Sequence, residues 1–310
     1  MRISFNSFPD GLVDQLGGLM SQQSKLQIQV SSGQRIKLAE DDPNAMSTVL
    51  DAQAEAQATN QYQTNVARQQ QLATSNYSAI KSLKTLSDRA SEIATLAGGV
   101  KSTADTAAYA KEINEMIKQA VQFANGKDRD SYLFGGTSGA QPFALTTDDQ
   151  GTVTNVTYQG NTSVNQSEIA EGSTFSAQVI GSNTTGAGPR GLITDSSSGA
   201  DFFNHLVSLR DNLTAGNRDL IANTDTLQLQ HDGDNFIYHI GLNGATQSRL
   251  ETSASALKDQ TLSLNSQVSS AAGTDIAQTV VRLTQAQTAY QAAIQSSGKI
   301  LSLSLMDYLK

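Results

Sequence analysis

Leu12, Leu16, Leu19, Gln23, Leu26 and Val30 follow one another at alternating steps of four and three residues. That spacing keeps a side chain on one face of a helix and makes an a/d seam, so it predicts an amphipathic helix over roughly 10–32. A second helical region is predicted from Pro43 towards Gly98-Gly99, with its clearest seam at Ala79, Leu83, Leu86, Ala90, Ile93 and Ala97. A third covers roughly 104–125, with Ile113, Ile117, Ala120 and Ala124 on one face and a stop at Asn125-Gly126. The period then shortens. Residues 143–181 carry Thr and Val runs between turn residues, which predicts three or four short strands in one small antiparallel unit. The stretch GSNTTGAGPRG at 181–191 reads as a loop.

Helical spacing resumes near Ala200 and becomes a long seam through Phe236, Ile240, Asn243, Gln247, Leu250, Ala254, Leu257, Thr261, Leu264 and Val268. Gly273-Thr274 interrupts it. The last segment takes the heptad up again as Ile276, Val280, Leu283, Gln287, Tyr290, Ile294, Ser297 and Leu301, with Leu305 one turn further. The plan is palindromic, so the two ends are expected side by side. The fold class that follows is mainly α: a long antiparallel coiled coil or helical rod made by the N- and C-terminal segments, with a small inserted antiparallel β domain. Its expected divisions are a terminal coiled-coil layer (1–40 and 274–310), a helical region (41–139 and 196–273) and a β-rich outer part (140–195).

The stretch SSGQRIKLAEDDPNAM at 31–46 separates the first two helices. Gly33 supplies the left-handed residue that ends one helix. Asp42 can accept the unpaired first-turn N–H groups of the next, and Pro43 suits its first position. Arg35 and Asp41 lie between as charged residues of the break.

Charge and composition narrow the function. The 310 residues hold 21 Lys and Arg against 29 Asp and Glu, a net charge of −8, which argues against nucleic acid as a partner. With no cysteine, thiol catalysis, disulfides and Cys-ligated metals are excluded. No apolar run approaches the roughly 20 residues of a membrane span, and the N-terminus has no continuous apolar core of the kind a cleaved secretion signal needs. Leu283 to Gly298 contains no charged residue, although a solvated helix normally carries charge on its outer face. A lone pair of terminal helices buries only a stripe of each, and these seams include Gln23, Gln287 and Ser297. The expectation is therefore that both termini are largely unstructured in the free chain and become ordered when neighbouring copies cover them. The seam residues Leu12, Leu16, Leu19, Leu26, Val30, Ile276, Val280, Leu283, Tyr290, Ile294, Leu301 and Leu305 are the candidate assembly interface.

Catalytic readings fare poorly. His231 and His239 in HDGDNFIYH stand two helical turns apart, and Phe236 takes the place of an oxygen ligand that a metal loop would need, so the segment reads as surface histidine and a turn; His205 is the third histidine. Asp41 and Asp42 are adjacent and point apart, which suits capping better than acid–base work. TGAGPRG and GGTSGA lack the spacing of a phosphate cradle or a nucleophile elbow. No cofactor, metal or catalytic residue is assigned, and an enzyme is not expected.

SSGQRIKLAEDDP resembles the signature near the start of flagellin-type axial proteins. YLFGG at 132–136, the opening MRIS and the ending TQAQTAYQAAIQSSGKILSLSLMDYL resemble the hook-associated protein 3 branch of that superfamily, and VTYQGN at 156–161 and SRLE at 248–251 also resemble the family pattern. The resemblance implies an extracellular structural subunit of the bacterial flagellum, placed where hook meets filament. It implies export through the flagellar type III apparatus with a dedicated chaperone, and as partners further copies of the chain, hook-associated protein 1 on the hook side, and flagellin. It also gives the 33–43 break a purpose, as the step from an inner to an outer helical layer. Two alternatives stand beside it: a filament flagellin, and a carbohydrate- or host-binding module in the insert.

Overall fold

The computed structural model describes residues 7–99 and 102–308; the side chains of Leu12, Leu301 and Leu305 lie outside the described residues. Helix α1 spans Ser7–Ser32, α2 Pro43–Gly98 and α3 Thr103–Ala124. Short strands follow: β1 Lys127–Asp128, β2 Ser131–Tyr132, β3 Phe143–Thr147, β4 Val153–Tyr158, β5 Ser167–Ala170, β6 Ser173–Phe175, β7 Ser182–Asn183, β8 Thr194–Asp195 and β9 Ala200–Asp201. Helix α4 is Phe202–Ala215, α5 is the single turn Arg218–Leu220, and a π turn, Ile221–Asp225, leads into α6, Thr226–Ala272; α7 is Ile276–Tyr308. The chain forms two compact units, Met1–Thr59 with Asp259–Lys310, and Asn60–Lys258.

In the first unit α1 packs on α7. The end of α1 bonds the start of α7 (the Thr274 N–H donates to the Gly33 carbonyl, 3.0 Å), so the pair runs antiparallel. Leu16, Leu19, Gln23, Leu26 and Val30 make the shielded stripe of α1, Leu26 being the most buried. The shielded stripe of α7 is Thr279, Leu283, Ala286, Tyr290, Ala293 and Ser297. This corrects the heptad reading. Leu283, Tyr290 and Ser297 belong to both stripes, but the second line lies on their other flank, and Ile276, Val280 and Ile294 stay exposed. Small side chains take the inner positions because they let two backbones approach closely. A third cluster, Ile36, Val49 and Ala272 with Met46 and Val268 against it, joins the start of α2 to the end of α6.

The second unit holds the main core. Ile80, Leu83, Ala90, Ile93 and Ala97 of α2 and Ile113, Ile117, Ala120 and Ala124 of α3 are buried, as their spacing predicts, while Ala79 and Leu86 are only partly covered. Leu206, Leu209 and Leu213 of α4 and Leu229 and Phe236 of α6 complete the helical side. Phe134, Phe143, Val153, Leu192 and Ile193 of the insert belong to the same cluster, so the insert shares its core with the helices. Phe202 meets Phe236 edge-on at 5.1 Å, and Phe143 meets Phe203 at 5.3 Å, geometries that suit the ring quadrupole.

The strands do not form one antiparallel unit. They make three separate two-stranded antiparallel sheets, β1-β2, β3-β4 and β5-β6, and a three-stranded sheet β7-β8-β9 whose β7-β8 pair is parallel. So the 181–191 stretch, read as a loop, begins with a strand. The reason for the separation lies in the helices. Their amide side chains satisfy the edges that a larger sheet would otherwise pair. Asn125 accepts from the Phe143 N–H (2.9 Å) and donates to its carbonyl (2.8 Å). Gln69 accepts from the Ala177 N–H (2.8 Å), Asn76 donates to the Ala177 carbonyl (2.8 Å), and Asn65 donates to Glu168 O (2.7 Å). Asn114 accepts from the Val153 N–H in the same way (2.9 Å).

HDGDN is not a turn either. Asp232 to His239 lie within α6, His239 is buried, and His205 is largely covered; only His231 is an exposed histidine. Gly233 lies inside the helix, where the burial of Asp232, Asn235, Phe236 and His239 outweighs its low helix propensity.

Candidate assembly interface

Gly33, Arg35, Asp41, Asp42 and Pro43 come together with the Gly273 break into one junction of the first unit. Gly33 adopts φ +69°, the left-handed conformation that closes α1, and its N–H returns to the Gln29 carbonyl at 2.9 Å. Gln34 and Gly273 form an isolated antiparallel bridge, and the Arg35 N–H donates to Ala272 O at 2.6 Å. Gly273 is a close approach: a Cβ there would collide with the Ser269 carbonyl oxygen. The Arg35 guanidinium reaches both Asp42 (3.2 Å) and the Ala271 carbonyl (3.3 Å), tying the break to the last turn of α6. Those carbonyls carry the negative end of the helix dipole, so a cation belongs there.

The adjacent carboxylates take different tasks. Asp42 accepts from the Ala45 N–H at 3.2 Å and so caps α2, which begins at Pro43. That bond, with Arg35 beside it, lowers the Asp42 pKa. Asp41 folds back on the break: it pairs with Lys25 of α1 at 2.5 Å and accepts from the Lys37 and Leu38 N–H groups at 3.2 Å. The Lys25 bond and then the two N–H groups hold the Asp41 pKa at about 2. Lys25 and Gln29, whose side chain donates to the Arg35 carbonyl (2.9 Å), are members that spacing did not reveal. Lys25 lies 16 residues from Asp41, too far for a local motif to name it, and Gln29 reaches Arg35 across the break itself.

The helices that meet here leave apolar surface uncovered. Val13 (66%) and Met20 (63%) on α1, and Ile276 (52%), Val280 (41%), Val281 (56%) and Ile294 (46%) on α7, face away from the shielded stripes. Leu283 and Tyr290 sit inside the α7 stripe, and Leu16, Leu19, Leu26 and Val30 inside that of α1. The predicted interface is thus divided between an intramolecular seam and an open flank.

Sequence reasoning also missed a polar cluster in the second unit. His205 Nδ1 of α4 lies 2.7 Å from Asp232 Oδ2 of α6, and Asp232 Oδ1 accepts from the Asp201 N–H that opens α4 (2.9 Å). Burial alone would lower the His205 pKa; hydrogen bonding to Asp232 and the charges of Asp232, Asp201 and Asp225 outweigh it, and the pKa is raised. Asp225, turned inward by the π turn, accepts from Ser208 and Asn212, both at 2.8 Å. Burial lowers the pKa of His239, which stays neutral against the Gly191 carbonyl at 3.2 Å. Among the described residues no cluster of three His, Asp or Glu could hold a metal ion, and no helix is long and apolar enough to cross a membrane.

Residues 15–137 match the bacterial flagellin N-terminal helical region and residues 241–309 the bacterial flagellin C-terminal helical region, together more than half of the chain. The chain belongs to the flagellin family. Among solved structures it is similar to a protein described as a flagellar hook-associated protein of Vibrio parahaemolyticus (17% identity, TM-score 0.64), covering 75% of this chain and 100% of that one. It is also similar to FlgL of Bacillus cereus (20% identity, TM-score 0.56; 71% and 99% covered) and to the flagellar junction protein FlgL of Legionella pneumophila (15% identity, TM-score 0.54; 73% and 100% covered). Among curated proteins none matches the sequence. At these identities the structures share the fold, and the flagellin matches bracket the β-rich insert from both sides.

Proposed function

We infer that this chain is the hook–filament junction subunit of a bacterial flagellum, of the hook-associated protein 3 type. The observation that carries the reading is the open apolar flank of the terminal helices. Val280, Val281 and Ile294 are exposed on a helix whose segment Leu283–Gly298 has no charge. A free helix with that surface is poorly suited to water, whereas a helix packed on several sides needs nothing else. The likeness in fold to junction proteins supports the placement. Further copies of the chain cover the flank; hook-associated protein 1 lies on the hook side and flagellin on the other. The termini, unfolded in the exported chain, are held by a flagellar chaperone until assembly. The role is structural and extracellular, without cofactor or catalysis.

Amide exchange tests the mechanism. In the isolated chain, α1 and α7 exchange orders of magnitude faster than the core of α2 and α3; in sheared flagella all four are protected. Strong protection of α1 and α7 in dilute free chain would overturn it. A strain lacking the chain yields hooks without filaments and flagellin in the medium, whereas concentration-driven growth of long filaments by the purified chain would identify a filament flagellin instead.

A further inference from the structure

A groove of about 370 Å³ opens between the β6 region and α6 in the second unit. Phe175 and Val179 line one side, Tyr238 and Leu242 the other, and no residue lining it is acidic. Tyr238 and Leu242 are 42% and 49% exposed, so the apolar surface continues out of the groove along α6. Two arginines lie over its aromatic rings. The Arg190 guanidinium is 4.4 Å from the Tyr238 ring centre, and that of Arg249 is 4.7 Å from Phe175. Neither arginine forms an ion pair among the described residues. Arg190 is nonetheless held in place by its neighbours. Gly191, next in the chain, is gripped by α6 through Asn235 (2.9 Å) and His239 (3.2 Å) on its carbonyl, and by Asp195 on its N–H (3.2 Å). Arginine and tyrosine around an apolar centre, with acidic groups excluded, is the composition of a protein-binding surface.

The chain itself carries the complementary group. Its runs of adjacent carboxylates are Glu40-Asp41-Asp42, which meets Lys25 and Arg35, and Asp148-Asp149, at the exposed tip of the β3–β4 hairpin. Asp148 spends its carboxylate on the turn, accepting from the Gln150 N–H (2.9 Å) and the Thr152 N–H (2.7 Å). Asp149 has no cation partner among the described residues. The hairpin rests on α3 and α4, where Asn114 and Arg210 bond its second strand at Val153, so the tip and the groove belong to different faces of their unit. We propose that the groove receives the β3–β4 hairpin tip of a second copy, with Asp149 of that copy paired to Arg190 and the hairpin backbone laid over Tyr238 and Leu242. A contact between unlike faces repeats from copy to copy and so builds a ring or a helical array. The proposal rests on the assembly reading above and adds a second contact to the one made by the terminal helices.

The chain has no cysteine of its own, so every thiol it carries in a cross-linking experiment is an introduced one. Flagella are sheared from cells whose chain carries both Leu242→Cys and Gln150→Cys, then treated with a short bismaleimide. A ladder of dimers and higher oligomers is expected. Arg190→Glu lowers the yield roughly two- to fivefold, the range one partly exposed ion pair supplies, and Asp149→Arg added to it restores the yield. A control pair on the open terminal flanks, Met20→Cys with Val281→Cys, reports assembly by itself. A ladder from the control but none from the 242/150 pair overturns this contact and leaves the assembly reading intact. Loss of both ladders overturns the assembly reading, and this contact with it.

Discussion

The backbone N–H of Thr274 points at the carbonyl of Gly33, 3.0 Å away, joining two helix breaks that stand near opposite ends of the sequence. Each break is set by its own glycine, and the two glycines are required for different reasons. Gly33 needs φ +69° but has open space around it, whereas Gly273 needs room for the Ser269 carbonyl.

Gly33→Ala therefore costs only the left-handed backbone penalty, about 1–2 kcal/mol, and Gly33→Asn less. Gly273→Ala has to move helix backbone and costs more than Gly33→Ala. Exchange of the Arg35 N–H in sheared flagella, where the terminal helices are ordered, ranks the three.

The amides that close the strand edges make a second prediction. Asn76 is fully buried and donates to the Ala177 carbonyl. Asn76→Leu leaves that carbonyl unpaired in the interior, at about 1–3 kcal/mol. The loss is read as a lower urea midpoint with an unchanged slope. Gln71→Leu, on the exposed side of α2, changes the midpoint little.

The His205–Asp232 pair supplies one part of the pH dependence of the second unit, and buried His239, whose pKa is lowered, supplies another of opposite sense. The folded-state His205 pKa lies above the unfolded value near 6.5. The contribution is therefore complete below about pH 6.5 and fades as pH rises through the raised folded value. His205→Gln flattens stability against pH above that point. Asp41 acts in the opposite sense: with its pKa at about 2, its contribution is complete above the ordinary carboxylate value and is lost as pH falls towards 2. NMR of the Lys37 and Leu38 amides in Asp41→Asn, which removes that titration, checks it.

Val281→Ser tests the open flank. Val281 is 56% exposed, so the change leaves the stability of the free chain within about 0.5 kcal/mol of its original value, read as a nearly unmoved thermal midpoint. It lowers incorporation into flagella in a competition with the unaltered chain, because the buried valine of the assembled state is replaced by a hydroxyl.

Much of this architecture was legible because helices of this length write their period many times over. α2 and α7 begin at Pro43 and Ile276, as the capping residues and the Gly273-Thr274 break require. The core faces of α2 and α3 were readable from Leu83, Ile93, Ile113 and Ile117. The stripe of α7 was not. Hydrophobicity picks out Ile276, Val280 and Ile294, but packing distance selects Thr279, Ala286 and Ala293, and a single sequence shows the first property only. The division of the insert into separate small sheets is not legible for a related reason. Strand spacing finds strands, but Asn65, Gln69 and Asn76 of α2, more than a hundred residues away, bond Glu168 of β5 and Ala177 just beyond β6, and Asn125 just after α3 bonds Phe143. Lys25 and Asp41 likewise meet only once the break is folded.

The paired breaks have a mechanical consequence. Elsewhere in the first unit, tension or twist is spread over whole helices, each turn stitched to the next. At Gly33 and Gly273 it passes instead through two thin crossings, clasped to each other by a few main-chain bonds and by the grip of Arg35. Strain from a turning flagellum concentrates there, and so does the bite of a protease.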